Sequence, residues 1–218
     1  MSGKYGLKSE EAKIIEELET IANKEIPKID NIDPNYNPFA HGVVVEGDTV
    51  VGLALFDCKL KTLPESISQL TSLKTLFIKT NKLKTLPESL MALKSLEKLY
   101  VIENELEELP ESIGQLETLQ VLSLGVNKLE KLPESIGQLK ALYELDVADN
   151  KLKELPETFG QLKSLETLQL YSNKLKKIPE AILDFPNLRF INIMNNKLDK
   201  DSKKILKKLE EKGVSVSY

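Results

Sequence analysis

The stretch LQVLSLGVNKL, residues 119–129, sets leucines at 119, 122, 124 and 129 around an asparagine at 127. In an extended chain, successive side chains point to opposite faces. Leu122 and Leu124 therefore turn one way, and Val121, Ser123 and Gly125 the other. The spacing recurs in LKTLFIKTNKL (73–83) and LETLQLYSNKL (165–175), and with Cys58 in the asparagine slot in VVGLALFDCKL (50–60). The octapeptide LPESIGQL stands at 109–116 and again, 23 residues on, at 132–139. Set in rows of 23 from Leu63, the chain reads LPESI, LPESL, LPESI, LPESI, LPETF and IPEAI at the row starts.

A period of this length predicts a stacked array in which each row buries its apolar face only against its neighbours. Leu76 and Ile78 face the core, while Thr75, Phe77 and Lys79 face out. Pro64 suits the first position of a helical turn, with Glu65 and Ser66 in that turn. Ile67, Leu70 and Leu73 then close the core from the convex side. Asparagines at 81, 104, 127, 150, 173 and 196 leave each strand where an amide can both donate to and accept from unpaired backbone groups.

This L-x-x-L-x-L-x-x-N-x-L pattern resembles the leucine-rich repeat family. The LPESIGQL wording is similar to the 23-residue repeats of intracellular bacterial, archaeal and Ras-associated scaffold proteins. The resemblance covers roughly residues 50–200. It implies a curved solenoid, an asparagine ladder and a protein-binding role, and the 23-residue steps along this chain set the expectation at an α/β solenoid of eight short parallel strands.

Both ends are expected to be capped, since an open last row leaves its core exposed. Residues 1–49 read as an N-terminal cap, 50–200 as the repeats and 201–218 as a C-terminal cap. SEEAKIIEELETIANK (9–24) reads as an amphipathic helix with Ser9 as N-cap and Ile14, Ile15, Leu18 and Ile21 inward. A Pro- and Asn-rich connector follows at 31–38, then a hairpin turning at Glu46–Asp48. FAHGVVV resembles the N-terminal cap of plant-type repeats, with Ala40 near that cap's Trp position and its cysteine pair absent. At the other end, Asp201–Lys212 reads as a helix closed by Gly213. Val214–Val216 reads as a further strand, because one more 23-residue step from Ile191 lands on Val214.

The chemistry of catalysis is thin. His41 is the sole histidine and Cys58 the sole cysteine. His41 reads as a cap residue, Cys58 as a ladder residue, and the glycines at 114, 137 and 160 as scaffold rather than a phosphate loop. The expectation is no enzymatic activity and no cofactor or metal. Glu144, Asp146 and Asp149 form an acidic row that could hold Ca²⁺ or serve as an acid–base pair, but one row supplies too few oxygens for calcium's usual six to eight. Lysines at 59, 82, 128, 151, 174 and 197 run beside glutamates at 65, 88, 111, 134, 157 and 180, and read as a solvated, mutually compensating surface. A formal charge of −4, no apolar run long enough to cross a bilayer and no signal-like N-terminus argue for a cytoplasmic protein, with neither nucleic acid nor membrane as partner.

The outward strand positions vary from row to row, as a binding surface would. Half of the twelve aromatics, Phe56, Phe77, Tyr100, Tyr143, Tyr171 and Phe190, project from the strands. Phe56, Phe77, Tyr100, Ile102, Val121 and Val126 are expected to form an apolar patch, with Glu144, Asp146 and Asp149 beside it and Tyr171, Phe190 and Met194 as a second patch. The expected function is a monomeric protein-binding module using this concave face. The alternatives are a regulatory subunit or scaffold for a GTPase, kinase or phosphatase, and a hydrolase built on the acidic row.

Overall fold

A computed structural model describes residues 3–218. One nine-stranded sheet runs the length of the chain in sequence order. Strands β1 (Gly42–Glu46) and β2 (Thr49–Phe56) form the expected hairpin, antiparallel, with a bulge between Val44 and Val45. Strands β3 (Thr75–Lys79), β4 (Lys98–Ile102), β5 (Val121–Ser123), β6 (Glu144–Asp146), β7 (Thr167–Gln169), β8 (Phe190–Asn192) and β9 (Ser215–Ser217) follow, all parallel to β2. From β2 to β8 each residue pairs with the one 23 further on, as Leu76 with Leu99 and Leu99 with Leu122. With neighbouring strands about 4.8 Å apart, the eight parallel strands make a concave sheet about 34 Å long.

The apolar sequence positions account for the core. Leu76, Ile78, Leu99, Val101, Leu122 and Leu124 are all fully buried, and Ile67, Leu70 and Leu73 meet them from the convex side. The convex segments are one-turn 3-10 helices such as Glu65–Gln69. Each proline stands one place before the helix, in extended geometry, rather than at its first position. Gly137 is required where two such turns meet, because a Cβ there would lie 2.5 Å from the Thr158 carbonyl oxygen.

The asparagines form a ladder that serves the preceding row. Asn127 Oδ1 accepts from the Leu106 amide at 2.9 Å, and Nδ2 donates to the Val101 carbonyl at 2.7 Å. Cys58 heads the ladder, where no earlier repeat needs such a bridge. Its thiol donates to the Phe56 carbonyl at 3.5 Å, and its amide donates to Asn81 Oδ1.

The caps differ in detail from expectation. Helix α1 (Ser9–Ala22) buries Ile14, Ile15 and Leu18 but leaves Ile21 44% exposed, and Lys8 rather than Ser9 is its N-cap. Glu11 takes up an inward position instead, accepting from the Val50 amide at 2.6 Å. At the other end, Asp199 caps helix α2 (Lys200–Glu211) by accepting from Ser202, and Gly213 turns the chain at φ +87°. Strand β9 pairs Val216, not Val214, with Ile191. The last row is thus two residues longer than the rest. The shift is even, so Val214 and Val216 both still pack on the core. No described helix is long and apolar enough to cross a membrane.

Candidate functional site

The concave face begins differently from its sequence reading. Phe77 is fully buried, not exposed, and so is Ala54 beside it. Residues 30–40 of the connector fold over strands β2–β4 and make a small second core of Ala40, Ala54 and Phe77, with Ile32, Tyr100 and Ile102 at its margin. Phe39 packs edge-on against Phe56, ring centroids 5.2 Å apart, and Lys79 Nζ lies 5.4 Å from the Phe39 ring. Phe77 and Tyr100 meet edge-to-face at 5.9 Å. The centre of the expected apolar patch, Phe77, is therefore covered by the chain itself, while Phe56, Tyr100 and Ile102 are half-buried. Val121 is likewise buried, 2% exposed.

Uncovered concave surface starts at Tyr100 and Ile102 and continues to the C-terminal end. Val126 is 47% exposed and holds left-handed backbone, φ +58°. Its whole column does so, from Asp57 to Asn195, but a β-branched residue in that region is strained. Tyr171 and Phe190 are half-buried and Met194 is 46% exposed.

Glu144, Asp146 and Asp149 stand at the middle of this open surface, all half-buried. Asp146 Oδ1 accepts from the Ala148 amide at 3.0 Å, and Oδ2 accepts from Ser123 Oγ at 3.2 Å. Burial raises the Asp146 pKa above the usual carboxylate range, and Asp149 adds to the shift against those two hydrogen bonds. Burial, then Asp146, raise Glu144 as well. Burial and nearby Glu144 push the Tyr100 hydroxyl up to about 12, and burial with Asp146 and Asp149 raises Tyr171. Among the described residues, none of the three carboxylates makes an ion pair, and no three His, Cys, Asp or Glu side chains come together in a way that could hold a metal ion.

A carboxylate whose folded pKa lies above its unfolded value loses stability as pH rises between the two, because the folded state holds the proton longer. Asp146→Asn should therefore raise the melting temperature at pH 7. The gain should shrink as pH falls through the raised pKa towards the ordinary aspartate value near 3.9. Thermal melts of both proteins across that range check the sign. A lower melting temperature at pH 7 would mean that the two hydrogen bonds outweigh the burial.

His41 and Cys58 approach each other, Nδ1 to Sγ 3.7 Å, while His41 Nε2 donates to the Glu25 carbonyl at 2.8 Å. Burial raises the thiol pKa and lowers that of the imidazole, so both are held neutral. Thiolate chemistry needs the opposite shift. Of the lysine column, Lys128 pairs with Glu105 of the neighbouring row, and Lys84 with Glu107 and Lys153 with Glu130 likewise link adjacent rows.

Known proteins share these features. A family profile described as "Leucine-rich repeat region" matches residues 102–212, just over half of the chain. A Leptospira interrogans LRR protein superposes with a TM-score of 0.65 at 37% identity, over 72% of this chain and 40% of its own length. Pollen Receptor Kinase 3 matches at 26% identity with a TM-score of 0.68, over 86% of this chain and 95% of its own. The ectodomain of GASSHO1/SCHENGEN3 from Arabidopsis thaliana, solved with CASPARIAN STRIP INTEGRITY FACTOR 2, matches at 25% identity with a TM-score of 0.66, over 85% of this chain and 27% of its own. A search of curated proteins returns no match. The 23-residue register, the asparagine ladder and the profile agree, and the chain belongs to the leucine-rich repeat family.

Proposed function

We propose that the chain is a protein-binding module whose partner lies on the open part of the concave sheet, from strand β4 to β8. The observation that carries this reading is the acidic row. Glu144, Asp146 and Asp149 stand half-buried without an ion pair among the described residues, and two of them carry raised pKa values. Such a cost is relieved by a basic group from outside. Tyr100, Ile102 and Val126 on one side, and Tyr171, Phe190 and Met194 on the other, supply apolar anchors flanking that charge. Two similar structures were solved as complexes, GASSHO1/SCHENGEN3 with CASPARIAN STRIP INTEGRITY FACTOR 2 and the plant peptide hormone receptor RGFR1 with RGF2, and they support a protein or peptide as ligand.

Replacing Tyr100 and Ile102 together with Ser should weaken a partner captured by the wild-type protein by about 2 kcal/mol or more, roughly thirtyfold in Kd. Asp146→Asn with Asp149→Asn should chiefly slow association and flatten its dependence on salt. Titration calorimetry and stopped-flow mixing separate the two effects. Affinity that survives both double variants would move the binding site to the convex side or a cap.

A further inference from the structure

Residues 30–41 form a closed loop with a firm base. The Ile29 amide donates to the Val43 carbonyl at 2.9 Å, and the Val43 amide donates to the Pro27 carbonyl at 2.8 Å. Gly42 is obligatory there, because a Cβ would stand 2.5 Å from the Pro27 oxygen. Inside the loop, Asp33 accepts from the Asn35, Tyr36 and Asn37 amides, and Asn37 from those of Phe39 and Ala40. Among the described residues, residues 30–40 make no hydrogen bond to the repeat strands on which they lie. They are held by side-chain contact: Ala40 on Ala54 and Phe77, Phe39 on Phe56, and Ile32 over Gly52. Compact loops with near-touching ends and their own internal bonding can move as units.

The floor beneath the loop is shaped for an occupant. Strand β2 carries Gly52 and Ala54 where later rows carry Thr75, Phe77, Lys98 and Tyr100, so a hollow opens beside the Phe77 ring. Ile32 fills it, its Cδ1 standing 3.0 Å from where a Cβ on Gly52 would lie. The hollow suits a branched aliphatic side chain.

We propose that residues 30–40 are a displaceable lid over a docking surface of Gly52, Ala54, Phe77, Tyr100 and Ile102, and that this surface accepts an aliphatic-bearing segment of the partner when the lid swings out. The partner's place rests on the concave-face reading above; the opening of the lid does not. Opening of residues 30–40 breaks no hydrogen bond to the repeats, and it leaves both the Ile29–Val43 base and the His41–Cys58 contact intact.

The opening is read from thiol labelling of Ala54→Cys in a Cys58→Ser background, across urea concentrations below the unfolding transition. Lid motion exposes little surface, so labelling at low urea should be nearly flat, then join a steep limb where global unfolding takes over. The flat rate should exceed the extrapolated steep limb at least a hundredfold. A single steep limb down to zero urea overturns the lid. A second variant, with residues 31–39 replaced by Gly-Ser-Gly, should keep a cooperative melt. It should also bind the free peptide NIDPNYNPFAH saturably at millimolar concentration, with binding lost on adding Phe77→Ser. Loss of the cooperative melt overturns the lid by making the loop part of the cap's framework. A folded variant that does not bind the peptide overturns the docking surface alone, and leaves the acidic-row reading to its own test.

Discussion

Leu122→Ala is expected to cost roughly 2–5 kcal/mol, through lost burial and the cavity left in a close-packed interior. Leu122 is fully buried at the centre of the sheet, paired with Leu99 on one side and Leu145 on the other. Both neighbours are held by rows of their own, so neither can collapse into the gap. The fitting control is Lys98, on the concave face of β4, where truncation to Ala should stay within about 0.5 kcal/mol. Ser123, although outward in sequence, is only 5% exposed and donates to Asp146, so it is no silent neighbour. Urea melts of the two variants should differ clearly in midpoint. Equal shifts would contradict the strand register.

Asn127→Ala is expected to cost roughly 3–5 kcal/mol. The side chain satisfies the Leu106 amide and the Val101 and Leu124 carbonyls, the last at 2.9 Å, and all three hydrogen bonds are buried. Each buried polar group left without a partner costs about 1–3 kcal/mol, softened where a carbonyl keeps another donor. The loss should be smaller at Asn196, which makes the same bonds but is half-buried and reachable by water. Cys58→Asn should change little, since no repeat precedes it. Denaturation midpoints for the three variants test this ordering. Equal costs at 127 and 196 would show that burial does not set the strength of the ladder.

The scaffold was legible because it repeats. A step of 23 from Leu76 names each inward strand residue as far as Ile191, and the pairings follow those steps. The next step fails by two residues, because α2 with its Asp199 cap and Gly213 turn uses more chain than a 3-10 turn does. Ile21 and Ser9 misled for a local reason: the helix entry turns one residue earlier, at Lys8, and Glu11 finds a buried amide in Val50. The binding face was legible in its columns but not in its cover. Phe77 occupies the same slot as Tyr100, and only a segment without periodicity, residues 30–40, separates their exposures. One trace of it stood in the sequence: Gly52 and Ala54 leave the first row too small for the columns they begin. The raised carboxylates were visible as an acidic row, but their burial depends on neighbours from adjacent strands, which no single row contains.

The even register of strands β2 to β8 bears on how such a chain changes length over generations. Rows that share the wording LPESIGQL can misalign by a whole period during recombination, and the joined product still reads as an unbroken array. Removing one period between residues 109 and 139 would bring β4 beside β6 with every inward leucine in place. The two ends would draw together by about 4.8 Å. The loop over β2 and the acidic row on β6 would then sit one strand closer, and the spacing that a partner must span would shift in a single genetic event. Reach, in this architecture, is inherited in whole strands.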